Sequence, residues 1–270
     1  MDTILVIPLI KFLQSLPPEY TSLILFIVCI VAMLLMLRLF GATGLYVYNI
    51  VAMLSANIQV LKGVNFGFSS EPIALGTIVF STTYLCSDIL TEHYGKGVAT
   101  KGVWFCFVAQ LLMGIFMIIA IGYPPLDLAT GSAPGTEYML QTEQAIALLF
   151  TPSLRILFAS LLSFVITQLI SIRIFQFLRK ITKQKLLWLR SLTSTIFSAT
   201  LDTSLFSFLA WKLLSPNPAS MSVLFYTYIL WGLVTYVLVV ILSAPILYTS
   251  YLFKPRNGGV HVPKLEAYVQ

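Results

Sequence analysis

Apolar residues run along this chain in long continuous blocks, with polar residues gathered between them. The blocks fall near 20–40, 44–61, 72–91, 101–122, 152–178, 190–213 and 222–252. A helix needs about 20 such residues to cross a hydrocarbon layer of about 30 Å. The blocks do not alternate apolar and polar, as the strands of a membrane barrel do. The pattern predicts an all-α fold, a polytopic transmembrane helix bundle of about seven spans. The last block is long enough to tilt strongly or to run past the bilayer. Pro245 is its candidate kink.

Polar residues inside the blocks keep helical spacing. The third block carries Thr77, Ser81, Tyr84, Asp88 and Glu92, and the sixth carries Ser191, Thr195, Ser198 and Asp202. The fifth offers Ser160, Ser163, Thr167, Gln168 and Ser171, and the second Asn49 and Asn57. At 3.6 residues per turn each set shares a face. Lipid cannot satisfy such groups, so these faces are predicted to meet one another or a wet cavity.

Asp202 stands twelve residues beyond Arg190, roughly 18 Å along a helix axis and near mid-membrane. A carboxylate there costs at least ~2.5–3.5 kcal/mol unless it finds a partner. It is either structural, as an ion pair or a protonated acid in the bundle, or part of a ligand or ion pathway. The same choice holds for Asp88. Glu92 falls near the inner rim, where Arg173 or Arg190 is its expected partner. Isolated Ser and Thr residues more often bond their own helix or its neighbour. Trp104, Trp211 and Trp231 read as interfacial anchors.

Composition narrows the class. The chain has 270 residues, 58% hydrophobic and 10% charged, with a mean hydropathy of +0.92. Soluble domains carry about 25% charged residues. The net charge of +6 reads as loop charge that sets topology, not as a nucleic-acid surface. Residues 122–152 hold Asp127, Glu137 and Glu143 and no basic residue. Residues 171–191 hold Arg173, Arg179, Lys180, Lys183, Lys185 and Arg190 and no acid. Positive loops stay inside, which predicts an outside N-terminus and an inside C-terminus. The 122–152 connection, with Pro124-Pro125 and the run from Gly131 to Gly135, is predicted to be an irregular outer loop. The first twenty residues lack a basic n-region and are not expected to be a cleaved signal.

Catalytic chemistry is sparse. Cys29, Cys86 and Cys106 lie in apolar blocks without a C-x-x-C pair, so no disulfide framework or zinc site is expected. The two histidines, His93 and His261, sit away from any deep serine, and there is no H-E-x-x-H or P-loop. No cofactor, metal or enzymatic activity is expected. An intramembrane enzyme using Asp88 with Asp202 is the alternative from a different class.

Four stretches in order carry a resemblance: SANIQVLKGVNFGF, IVFSTTYLCSDILTEHYGKGVATKG, ITQLISIRIFQFLRKIT and WLRSLTSTIFSATLDTSLFSF. Together they resemble the queuosine precursor transporter family, also called the vitamin uptake transporter family, over residues 45–250. The resemblance implies an N-terminal segment with an extra helix over 1–44, a six-span core over 45–253 and a cytoplasmic tail over 254–270. That core is thought similar to the substrate-binding subunits of energy-coupling-factor transporters. It implies import of 7-cyano- or 7-aminomethyl-7-deazaguanine, or queuine, across an inner membrane for transfer RNA modification. The chain departs from the family pattern in having Ala199 where an amide is common and Ser171 where an acid is common.

The residues suit such a ligand. A guanine-like edge offers adjacent N–H donors that a carboxylate accepts in bidentate fashion. Asp88 and Asp202 are the candidates, with Glu92 nearby. The base carbonyl wants a donor such as Asn57, Gln168 or Arg190, and the flat ring an aromatic wall such as Tyr84 or Phe206. Thr195 and Ser198 complete the expected lining. The expected partners are a purine-like base and the bilayer. Open alternatives are a homo-oligomer and a subunit energised by a separate ATPase module.

Overall fold

The computed structural model describes residues 2–67, 73–124, 136–183, 185–215 and 217–253. The loop segment 125–135 with Asp127, the tail 254–270 and the Trp231 side chain lie outside the described residues. Helix α1 (Asp2–Ser15) is followed by α2 (Pro18–Gln59), the short antiparallel strands β1 (Gly63–Val64) and β2 (Ile73–Ala74), α3 (Thr77–Tyr94) and α4 (Lys96–Ile121). Then come α5 (Thr136–Ile181) and α6 (Leu187–Ser207), which continues as a π-helical turn (Phe208–Leu213). Helix α7 (Met221–Val223), a second π-helical segment (Leu224–Leu230) and α8 (Trp231–Phe253) follow one another without interruption. The chain is an all-α membrane bundle.

Helix α2 would measure about 63 Å if it were straight. It is not straight. The Glu19 carboxylate accepts the Gly67 backbone N–H at 2.7 Å, and the eight residues from Gln59 to Gly67 reach at most about 28 Å. The break is at Gly41, with φ 61° and ψ −133°, a conformation that L side chains rarely adopt. The segment therefore doubles back as two arms, 18–40 and 42–59, which match the first two apolar blocks. Gly44 lies against the first arm, and a Cβ there would stand 2.2 Å from the Met36 carbonyl oxygen. Only glycine lets the arms approach so closely. The first arm buries Phe26, Ile30, Met33 and Leu37 and leaves Leu23, Ile27, Val31 and Leu35 exposed on its outer face, where lipid solvates them.

Among the described residues, three helical stretches are long and apolar enough to span a membrane: Pro18–Gln59, Lys96–Ile121 and Ile156–Ile181. Their polar stripes keep α3 and α6 off that roll. The predicted irregular outer loop is corrected in its second half, since α5 begins at Thr136. The reason is local: residues 137–149 (EYMLQTEQAIALL) are mostly strong helix formers, which need no apolar face to wind. The three cysteines are free and buried.

Helix α3 is the central post. Every residue from 81 to 91 is buried. On one side Tyr48 of α2 bonds Thr82 at 2.6 Å and the Cys86 thiol donates to the Leu45 carbonyl at 3.4 Å. A helix buried all round cannot hide polar residues by turning them to solvent. Its hydroxyls and carboxylates must be satisfied by neighbouring helices.

Candidate functional site: a polar seam between three helices

The polar stripes of α3, α5 and α6 meet. Asp88, 2% exposed, accepts hydrogen bonds at one carboxylate oxygen from the hydroxyls of Ser191 and, at 3.3 Å, Thr195. Asp202, 5% exposed, accepts from the Thr167 hydroxyl at 3.2 Å. Tyr84 lies 3.1 Å from the same Thr167 oxygen. The Thr167 hydroxyl also donates to the Ser163 carbonyl at 2.7 Å, so its one proton is divided between that carbonyl and the Asp202 carboxylate. The Gln168 amide donates to Thr83 at 3.2 Å. Three helices are thus stitched by side-chain bonds around two acids.

The spacing along α6 sets the distance between the acids. Asp88 is held by residues 191 and 195 of that helix, and Asp202 lies seven residues beyond the second. At 1.5 Å per residue the two carboxylates are offset by about 10–16 Å. They do not form a dyad sharing one proton. Among the described residues, both ion pairs belong to Glu92, and neither Asp88 nor Asp202 has a cation within 4 Å. The hydrogen bonds they accept come from neutral hydroxyls, while Glu92 and Arg190 lie near enough to Asp88 to act on it through space.

Several buried polar atoms in the seam have no hydrogen-bond partner: the Ser87 hydroxyl, the Gln168 carbonyl oxygen and the Ser198 hydroxyl. Ser198 is fully buried on the α6 face that carries Thr195 and Asp202. Buried polar groups in folded proteins nearly always find partners. A cluster of orphans beside two acids is a surface prepared for a polar guest.

The inner end of the seam is closed by ions. Glu92 accepts from Arg190 Nη2 at 3.3 Å and from the Tyr251 hydroxyl at 2.7 Å, and pairs with Arg179 Nε at 3.8 Å. One carboxylate so ties the ends of α3, α5, α6 and α8. The Arg190 guanidinium lies 5.2 Å from the Phe175 ring centroid. It is 1% exposed, and its Nε and Nη1 have no hydrogen-bond partner. His93 bonds Ser250 at 2.8 Å and stacks edge-on against Tyr251 at 4.6 Å.

Of the residues expected at the site, Asp88, Asp202, Gln168, Tyr84, Thr195 and Ser198 line the seam, and Glu92 and Arg190 close its inner end. Phe206 is half-buried one turn past Asp202. Asn57 is not brought there. It donates to Gln110 of α4 at 2.7 Å, in an outer groove with Leu54, Ile58, Met113 and Leu157. The expected Arg173 partner of Glu92 is also corrected: Arg173 is exposed and Arg179 takes its place. Helical phase explains it. Arg179 is eleven residues past Gln168, about 20° from it around the helix, whereas Arg173 is about 140° away. That signal was present in the sequence. Tyr251 carried no such mark. Of the two family departures, Ala199 packs against the Tyr84 ring and Ser171 is buried in the seam.

A family model described as "Putative vitamin uptake transporter" matches residues 74–250. The chain belongs to that vitamin uptake transporter family. The matched region contains every residue of the seam and its ion latch except Tyr251, and begins after the α2 arm that bears Asn57. A Bacillus subtilis (strain 168) protein described as "Probable queuosine precursor transporter" is 30% identical over 206 residues, 76% of this chain and 84% of that protein. No solved structure matches. Family membership makes the seam part of a membrane transporter.

Proposed function

We propose that this chain imports a queuosine precursor, a 7-deazaguanine base, along the seam between α3, α5 and α6. The observation that carries this reading is the pair of buried acids with no cation within 4 Å among the described residues, set among orphaned hydroxyl and amide groups. A lone buried acid is met by one partner and closed off. Here the unmet donors and acceptors spread over three helices, as a ligand with several polar edges requires. The similarity to the Bacillus protein supports the same substrate class.

The orientation in the membrane follows the loop charges. The basic stretch from Arg173 to Arg190, which spans the α5–α6 junction with Lys183 and Lys185, is placed inside, which puts the Glu92 latch at the cytoplasmic end, the N-terminus outside and the C-terminus inside an inner-type membrane. A reporter that works only outside, fused after Lys183, should be inactive, and an active one sinks this orientation.

The decisive experiment is uptake of labelled 7-deazaguanine bases into cells unable to make them. Cells expressing the chain should accumulate label into transfer RNA well above cells carrying an empty vector. Equal label in both would reject the reading.

A further inference from the structure

The two acids of the seam are not equivalent, and the difference bears on which base fits. Asp88 lies one turn from Glu92 on α3, beside the latch, and its α6 partner Ser191 follows Arg190 directly. Arg190 spends only Nη2 on Glu92, leaving Nε and Nη1 as buried, unpartnered donors. A carboxylate acceptor with guanidinium donors at the same level is the complement of a guanine-type edge. Such an edge sets a carbonyl acceptor beside two N–H donors.

Asp202 lies elsewhere along the seam, toward its outer half. Its neighbours are the Thr167 and Ser163 hydroxyls, Tyr84 beyond Thr167, and the orphaned Ser198 on the same α6 face. Among the described residues no arginine, lysine or histidine pairs with it. A buried acid with no counter-charge among the described residues is costly to keep ionised. A guest that brings a positive charge to that point offsets that cost.

The lengths agree. A bicyclic purine-like base with a one-carbon amine arm spans roughly 7–8 Å from amino edge to amine nitrogen, and two contacts of about 2.8 Å bring the total near 13 Å. The carboxylates are offset by about 10–16 Å along α6.

We propose that the seam selects a 7-deazaguanine with a cationic side arm over the neutral nitrile, reading the base edge with Asp88 and Arg190 and the amine with Asp202. This rests on the transport reading above and adds the charge of the substrate to it. Ser198 and the Gln168 carbonyl, both orphaned between the acids, flank the arm.

The test is competition in proteoliposomes of the full chain, with no imposed membrane potential, so that voltage does not itself favour the cation. Each base, labelled in turn, is tested for uptake, and labelled 7-aminomethyl-7-deazaguanine is competed by the unlabelled aminomethyl and cyano bases. The aminomethyl base should compete at a concentration at least about tenfold lower. The near-isosteric Asp202→Asn removes the charge, and the preference should fall to about one. Equal competition by the two bases in the native chain overturns the proposal, and this arm needs no variant to fold. A preference unchanged in Asp202→Asn overturns the role of Asp202. Uptake of the cyano base alone leaves transport standing and overturns the charge selection. Uptake of neither base overturns the transport reading and the proposal with it.

Discussion

Replacing Glu92 by alanine is expected to lower stability by about 3–5 kcal/mol, the loss seen when one member of a buried ion pair is removed. The cost falls on the partner left behind. Arg190 is 1% exposed and has one charged contact, the 3.3 Å bond to Glu92. Without it the guanidinium faces the Phe175 ring and no anion. Arg179 and Tyr251 lose their acceptor too, so the ends of four helices are released together. Thermal unfolding in detergent should shift down by about 10 °C. The milder Glu92→Gln keeps an acceptor oxygen for Tyr251 and should fall between the two. An unchanged melting temperature in Glu92→Ala would mean that Arg190 finds another counter-charge, and the latch would not be a structural tie.

Asp88→Ala is expected to cut uptake at least about a hundredfold while the protein still reaches the membrane. Two charge-assisted hydrogen bonds to a donor edge are together worth roughly 3–6 kcal/mol, and each 1.4 kcal/mol is about tenfold in binding. The fold should tolerate the change better than it tolerates loss of Glu92, because what remains is neutral. Ser191 and Thr195 lose an acceptor, but hydroxyls in helices turn to the carbonyl three or four residues back. Asp88→Asn should be nearly as inactive, since its amide sets donors against donors. Full uptake by Asp88→Ala, at matched protein levels, would remove Asp88 from the site.

These two substitutions separate roles that look alike in sequence. Asp88 and Glu92 are four apart on one helix, and both are acids near the end of an apolar block. Glu92 pairs with two arginines and a tyrosine, whereas the hydrogen bonds that Asp88 accepts come from hydroxyls. The first arrangement resembles a closed clasp, the second an open demand.

Much of the architecture was legible because membranes enforce strong rules. Backbone groups in lipid must bond within their own segment, so apolar blocks of this length become helices. The sharp turn near residue 41 was marked by the gap between the first two blocks, and Gly41 and Gly44 supply the backbone freedom that it needs. The stripes on α3, α5 and α6 followed from 3.6-residue spacing, and the structure does bring them together. The helical start of α5 at Thr136 was missed because hydropathy reports lipid contact, and a helix built from good formers can extend beyond the apolar stretch.

The sequence by itself determined that the chain is a helical membrane protein, which faces of its helices are polar, and that acids lie within the spans. Those properties are local, set by residue type and helical phase. Only the tertiary structure decided which stripes touch. It turned Asn57 to Gln110 of α4 and away from the seam, gave Glu92 to Arg179 and Arg190, and left Asp202 without a paired cation among the described residues. The reason is physical: a stripe fixes direction around one axis. The partner that meets it depends on how helices far apart in the chain pack and how deeply each sits along its neighbour.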